Sequence, residues 1–125
     1  AYVIAHEYGH HVENLLGILS ANPDRDTGPQ STAVRVELMA DCLAGMWANG
    51  AAATGFIEEL TAEDIRAGLD AAAAIGDDRI QQQLRGQVNP ERWTHGSSAQ
   101  RERWFLEGYR SGSLNACNTL EAPSV

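Results

Sequence analysis

His6, Glu7 and His10 stand together in AYVIAHEYGHHVENLLG, and their types and spacing are those of a metal-dependent hydrolase. On a helix, residues four apart lie one turn plus about 40° around the axis, so both imidazoles can reach one ion. Glu7 is carried beside them, where a carboxylate can take a proton from activated water. The alternative is a pair of surface histidines on an ordinary helix. A catalytic zinc needs a third protein ligand and an open fourth position. The metzincin continuation requires glycine at position 13 and histidine at position 16, but Glu13 and Leu16 stand there. The other common solution is a glutamate from a second helix, and VRVELMADCLAG supplies one. Glu37 is the candidate third ligand. Asp41, four residues on and on the same face, can accept a hydrogen bond from the far nitrogen of a ligating histidine and fix its tautomer. Alone, an acidic pair at this spacing reads as a solvated helix face. Following H-E-x-x-H, and flanked by Val34, Leu38 and Ala40, it reads as the remainder of a metal site.

Two more histidines need a reading. His95, in WTHGSS, lies in a loop beside a glycine and just before a helix start, where it can hydrogen-bond the oxyanion of a tetrahedral intermediate. A half-exposed loop histidine is the plain alternative, and Tyr8 and Tyr109 are rival oxyanion donors. His11 points about 140° away from His6 around a helix axis, toward apolar neighbours, so it is read as packing and not as a ligand.

The elements that must position these residues are helical. Residues 1–19 carry a helical period, with His6, His10, Glu13 and Gly17 on one face. Ile4, Tyr8, Val12, Leu15 and Leu19 form an apolar arc opposite, expected to face a core. ANPDRDTGPQS (21–31) is a loop, followed by a second helix over 32–50. Ala44 and Ala48 share the Glu37 face and would let the two helices approach closely. A third helix covers 62–74 with Thr61 as N-cap, GDDR breaks the chain before a short helix through Leu84, and 85–98 is a loop. Ser97 and Gln100 form a capping box opening a helix from 98 to about 110. The tail is irregular. No strand is expected, so the fold class is mainly α, a single domain over 1–125.

Composition bounds the partners. A net charge of −8 with scattered basic residues excludes a nucleic-acid or anionic-membrane surface. No apolar run is long enough to span a bilayer. Much of the 43% hydrophobic content is alanine, which predicts closely approaching helices with few bulky side chains. The two cysteines, Cys42 and Cys117, fit either one disulfide or two buried thiols. Oligomeric state is not legible.

HEYGHHVENLLGI, VELMADCLAG, GDDR-I-Q, THGSSAQR-x-RWF-x-x-GY and ACNTL occur here in an order that resembles the putative neutral zinc metallopeptidase family of bacteria. The resemblance covers nearly the whole chain. It implies a helical zincin-like fold, zinc as cofactor, and His6 and His10 as ligands with Glu7 as the base. It places the Glu37–Asp41 block at the second metal motif, in an arrangement similar to the gluzincins, and raises His95 to a working site residue. It also implies a disulfide joining the second helix to the tail. Family members are longer, with a membrane-spanning or exported N-terminal segment. The resemblance therefore implies the C-terminal part of an extracytoplasmic bacterial peptidase acting on peptides or proteins, with its substrate-binding region upstream. A metal-stabilised helical module without peptidase activity, and a zinc hydrolase of a non-peptide substrate, are the alternatives.

Overall fold

α1 (Tyr2–Leu15) and α3 (Thr32–Ala53) carry the two candidate metal motifs, and the rest of the chain braces this pair. The computed structural model describes residues 1–23, 26–55 and 60–125. Among the described residues there are four further helices and two 3-10 turns, and no strand. These are α2 (Ile18–Ala21), α4 (Ala62–Ala74), α5 (Asp77–Arg85) and α6 (Ser98–Ser111), with the turns at Pro90–Arg92 and Leu114–Cys117. Of the loop expected over 21–31, residues 24–25 lie outside the described residues; Ala21 ends α2 and the others are not helical.

Local chemistry sets the helix starts. The Thr61 hydroxyl accepts from the Asp64 N–H and the Asp64 carboxylate accepts from the Thr61 N–H, a reciprocal cap that opens α4. Ser97 and Gln100 do the same for α6. The first helix stops earlier than its periodicity predicts. Gly17 adopts φ 74°, a left-handed conformation that ends the helical run and restarts it as α2.

α3 is the axis of the molecule. Val34, Val36, Leu38, Ala40 and Cys42 on it are fully buried. α6 crosses it so closely that a Cβ on Gly108 would stand 1.8 Å from the Cys42 carbonyl oxygen, and one on Gly45 2.0 Å from that of Phe105. Only glycine permits this backbone contact. α1 meets α3 through Gly9, whose Cβ position lies 2.9 Å from the Ala40 carbonyl oxygen. Ala44 and Ala48 pack with Tyr2, Ala5, Ala72 and Phe105, as small residues on that face predict. A disulfide between Cys42 and Cys117 ties the tail to α3, and Arg35 donates to the carbonyls of Thr119 and Ala122 beside it.

One expectation is overturned. Most of the apolar arc of α1 does not face the core: Ile4 is 76% exposed, Tyr8 63% and Leu15 71%, while Val12 packs partly buried against it. Instead Tyr2, Ala5, His6, Gly9 and Glu13 are buried. The polar face turns inward because its polar groups find partners on α3 and α6, while Ala5 and Gly9 are small enough to let the helices touch. His11 accordingly lies exposed against the Tyr8 ring, 5.5 Å between centroids, rather than in a core.

Candidate metal centre

Seven of the side chains that meet at the α1–α3–α6 junction are polar, and their hydrogen bonds fix how they can act. His6 and His10 project from successive turns of α1, with ring centroids 4.7 Å apart and planes nearly perpendicular. Their Nε2 atoms lie 3.2 and 3.3 Å from the same oxygen, Glu37 Oε2 on α3. One donor atom from each of the three falls within 4.8 Å of the others. For a tetrahedral zinc with ligands at 2.0–2.1 Å, neighbouring donors stand roughly 3.3 Å apart. The donor set, and the spacing of each histidine from Glu37, therefore fit zinc.

Each histidine is held from behind by a carboxylate. The Nδ1–H of His6 donates to Asp41 Oδ1 at 2.8 Å, and that of His10 to Glu13 Oε2 at 2.8 Å. Donating from Nδ1 turns Nε2 to Glu37, so that Nε2 is the nitrogen a metal would take once it displaces the proton there. Asp41, fully buried, also accepts from Tyr2 Oη and from both Nε and Nη2 of Arg101, at 2.8 and 3.1 Å. Arg101 is itself 2% exposed, so the pair is a buried ion pair whose members depend on each other. Removing one partner of such a pair costs about 3–5 kcal/mol.

Between themselves these groups shift one another's titration. The Glu13 and Glu37 bonds outweigh burial and push His10 up to about 10. Burial alone would lower His6, but its bonds to Asp41 and Glu37 outweigh that and raise it. Burial would likewise raise Glu37, and the two histidines win, holding its carboxyl well below the usual range. Tyr2 is pushed far up by burial and by Asp41, so it is a neutral donor at any physiological pH.

The donors open into a cleft of about 450 Å³ that Glu7, His95, Arg101, Ile75 and Ile80 also line. Glu7 is exposed at its edge. His95 is brought there by Asp77 at the start of α5, whose Oδ2 accepts from three successive N–H groups, Thr94, His95 and Gly96, at 2.7–3.0 Å. Asp77 Oδ1 lies 3.6 Å from His95 Nδ1, and its carboxylate raises the His95 pKa. Asp78 anchors the same junction by accepting from the Ser98 N–H and hydroxyl. The structure thus brings His6, His10, Glu37, Glu7 and His95 to one cleft, with Asp41 behind His6. Tyr8 and Tyr109 do not line it: Tyr8 sits on the outer arc and Tyr109 packs near Phe105. Sequence reasoning assigned no role to Glu13, Tyr2, Asp77 or Arg101. Glu13 and Tyr2 share the helical face of His10 and His6, a signal that was present. Arg101 arrives from 60 residues beyond Asp41 and left none.

Over residues 1–120 the sequence matches the family described as "Putative neutral zinc metallopeptidase". The chain belongs to this family. Among similar curated proteins, "Uncharacterized protein Rv2575" of Mycobacterium tuberculosis is 53% identical over 131 residues, covering 99% of this chain and 45% of that protein. "Uncharacterized protein YpfJ" of Escherichia coli is 47% identical over 125 residues, covering 95% of this chain and 42% of that protein. The chain spans less than half the length of these bacterial relatives. No solved structure matches it significantly. Membership in the neutral zinc metallopeptidase family agrees with the mainly helical fold, with a donor set suited to zinc, and with a disulfide where the resemblance implied one. No helix among the described residues is long and apolar enough to cross a membrane.

Proposed function

We propose that this chain carries the catalytic centre of a zinc-dependent metalloendopeptidase, with residues 1–125 forming part of the peptidase domain. The observation that carries the reading is the convergence of His6 Nε2 and His10 Nε2 on Glu37 Oε2, each at tetrahedral-edge spacing from it, with a carboxylate behind each imidazole. Zinc held by these three residues would supply Lewis acidity, lowering the pKa of a water and polarising a scissile carbonyl. Glu7, exposed at the rim of the cleft, takes a proton from the attacking water and returns it to the leaving amine. His95, held by Asp77, donates to the oxyanion that develops on the carbonyl oxygen. Asp41 orients His6 and is itself paired with Arg101. Ile75 and Ile80, each partly exposed beside the donors, give the cleft an apolar flank against which a peptide side chain can rest. The Cys42–Cys117 disulfide supports an extracytoplasmic location, where such bonds persist.

The test is the Glu7→Gln variant. It keeps the zinc ligands and the shape of the cleft but cannot take the proton. Chelator-sensitive casein cleavage should fall by at least a hundredfold while bound zinc stays at one ion per chain. Cleavage at the parent rate would show that Glu7 is not the base. A second reading has its own observation: no strand is present among the described residues to pair with an extended peptide. On that reading the chain is a metal-stabilised helical module. Zinc binding without turnover, in this chain and in a longer relative alike, would favour it.

A further inference from the structure

Glu13 is buried without any solvent exposure, and only one of its carboxylate oxygens has a partner. Oε2 accepts from His10 Nδ1 at 2.8 Å, while Oε1 has no hydrogen-bond partner at all. This is unlike the carboxylate behind the other histidine. Asp41 has both oxygens engaged and a guanidinium on it. A buried carboxylate needs either full hydrogen bonding or an opposite charge. Asp41 has both; Glu13 has neither, apart from the imidazole. Around the two histidines, three carboxylates (Glu13, Glu37 and Asp41) face one guanidinium, Arg101.

We propose that Glu13 is the positioning residue of His10, and that its buried, half-partnered carboxylate contributes to the centre's affinity for a divalent cation. Its carboxylate holds the His10 ring with Nδ1–H turned inward and Nε2 turned to the donor cluster, and a divalent cation held there would offset the charge that no guanidinium or second hydrogen bond meets. The proposal rests on the reading that His6, His10 and Glu37 hold zinc. It adds that the centre's affinity depends on the charge at position 13 and not on its shape alone.

Glu13→Gln separates the two, because glutamine keeps the size and an acceptor oxygen but not the charge. Zinc affinity, measured by competition with a chromophoric chelator on the intact chain, should fall 10- to 100-fold. Circular dichroism should show the helices unchanged. Glu13→Asp keeps the charge, so its affinity should lie between those of the parent and the glutamine variant. A Glu13→Gln protein that binds zinc within threefold of the parent overturns the proposal. A measurement on the parent alone guards against a variant that does not fold: in the zinc-loaded protein, nitrogen-15 NMR of His10 should show Nδ1 protonated and Nε2 coordinated. Coordination through Nδ1 overturns the role of Glu13 and leaves the zinc site standing. A parent that takes up no zinc, or in which His10 is not coordinated, overturns the proposal together with the reading beneath it.

Discussion

The Gly9–Ala40 contact is what brings the two histidines of α1 to the glutamate of α3, and Gly9→Ala is the perturbation that tests it. The added Cβ would stand 2.9 Å from the Ala40 carbonyl oxygen and 3.0 Å from its Cα, both backbone atoms that cannot swing away. An ordinary contact begins near 3.4 Å, so α1 must retreat from α3 by roughly 0.5 Å. Overpacking of this kind costs about 1–3 kcal/mol, and the better helix propensity of alanine offsets about 1 kcal/mol of it. The fold should therefore survive, with a net loss of about 0–2 kcal/mol. The metal site should not escape so lightly. The Nε2–Oε2 separations of 3.2 and 3.3 Å span the gap between the same two helices, and a retreat of that size would open them. Metal–ligand distances tolerate only about 0.2 Å, so zinc affinity should drop on the order of tenfold. Urea denaturation and chelator competition on the same protein measure the two effects separately. Gly50→Ala is the control: Gly50 lies inside α3 with nothing within 4 Å of its Cβ position. It should stabilise by about 0.5–1 kcal/mol and leave zinc binding untouched. Gly9→Ala binding zinc as tightly as the parent would refute the claim that this contact sets the donor spacing.

Other consequences follow from the same geometry. Gly108→Ala places a methyl group 1.8 Å from the Cys42 carbonyl oxygen and should abolish cooperative unfolding, since the α3–α6 crossing cannot form; a normal urea transition would contradict that packing. Breaking the Cys42–Cys117 bond, which spans a sequence separation of 75 residues, should cost about 4 kcal/mol by loop-closure entropy, read as the difference between urea curves of the parent and a double Cys→Ala variant. His95 is held protonated to higher pH by Asp77. Its donated proton is available below its raised pKa and lost as pH rises through it. Asp77→Asn removes the cause of that rise, so the alkaline limb of kcat/KM against pH should move to lower pH. An alkaline limb that stays in place would remove His95 from the oxyanion role.

The helices were legible because local signals mark them: the Thr61–Asp64 and Ser97–Gln100 caps, the Gly76 break and the alanine-rich runs all fall where periodicity predicts. The three candidate ligands were legible because metal chemistry restricts both residue type and spacing. The orientation of α1 was not. Periodicity turns the apolar arc of Ile4, Tyr8 and Leu15 inward, because in most helices burial follows hydrophobicity. Here buried polar groups satisfied by one another outweigh it, and that satisfaction comes from Asp41 on α3 and Arg101 on α6, residues distant in sequence from His6. Glu13 was visible on the ligand face, yet its burial depends on how closely α1 approaches α3, which one glycine decides. Asp77 lies in the GDDR break and opens the short helix after it, but its carboxylate also gathers three N–H groups of the His95 loop, a bond between segments that no local pattern encodes.

His6, His10 and Glu37 are proposed as the protein ligands of one zinc ion. A crystal of the zinc-loaded protein, with data collected on both sides of the zinc absorption edge, tests that assignment directly. A single anomalous peak per chain is expected, about 2.0–2.2 Å from His6 Nε2, His10 Nε2 and a Glu37 oxygen, with the fourth position open to the cleft. A peak whose third protein ligand is His95 or any residue other than Glu37, or no peak at these histidines, would contradict it.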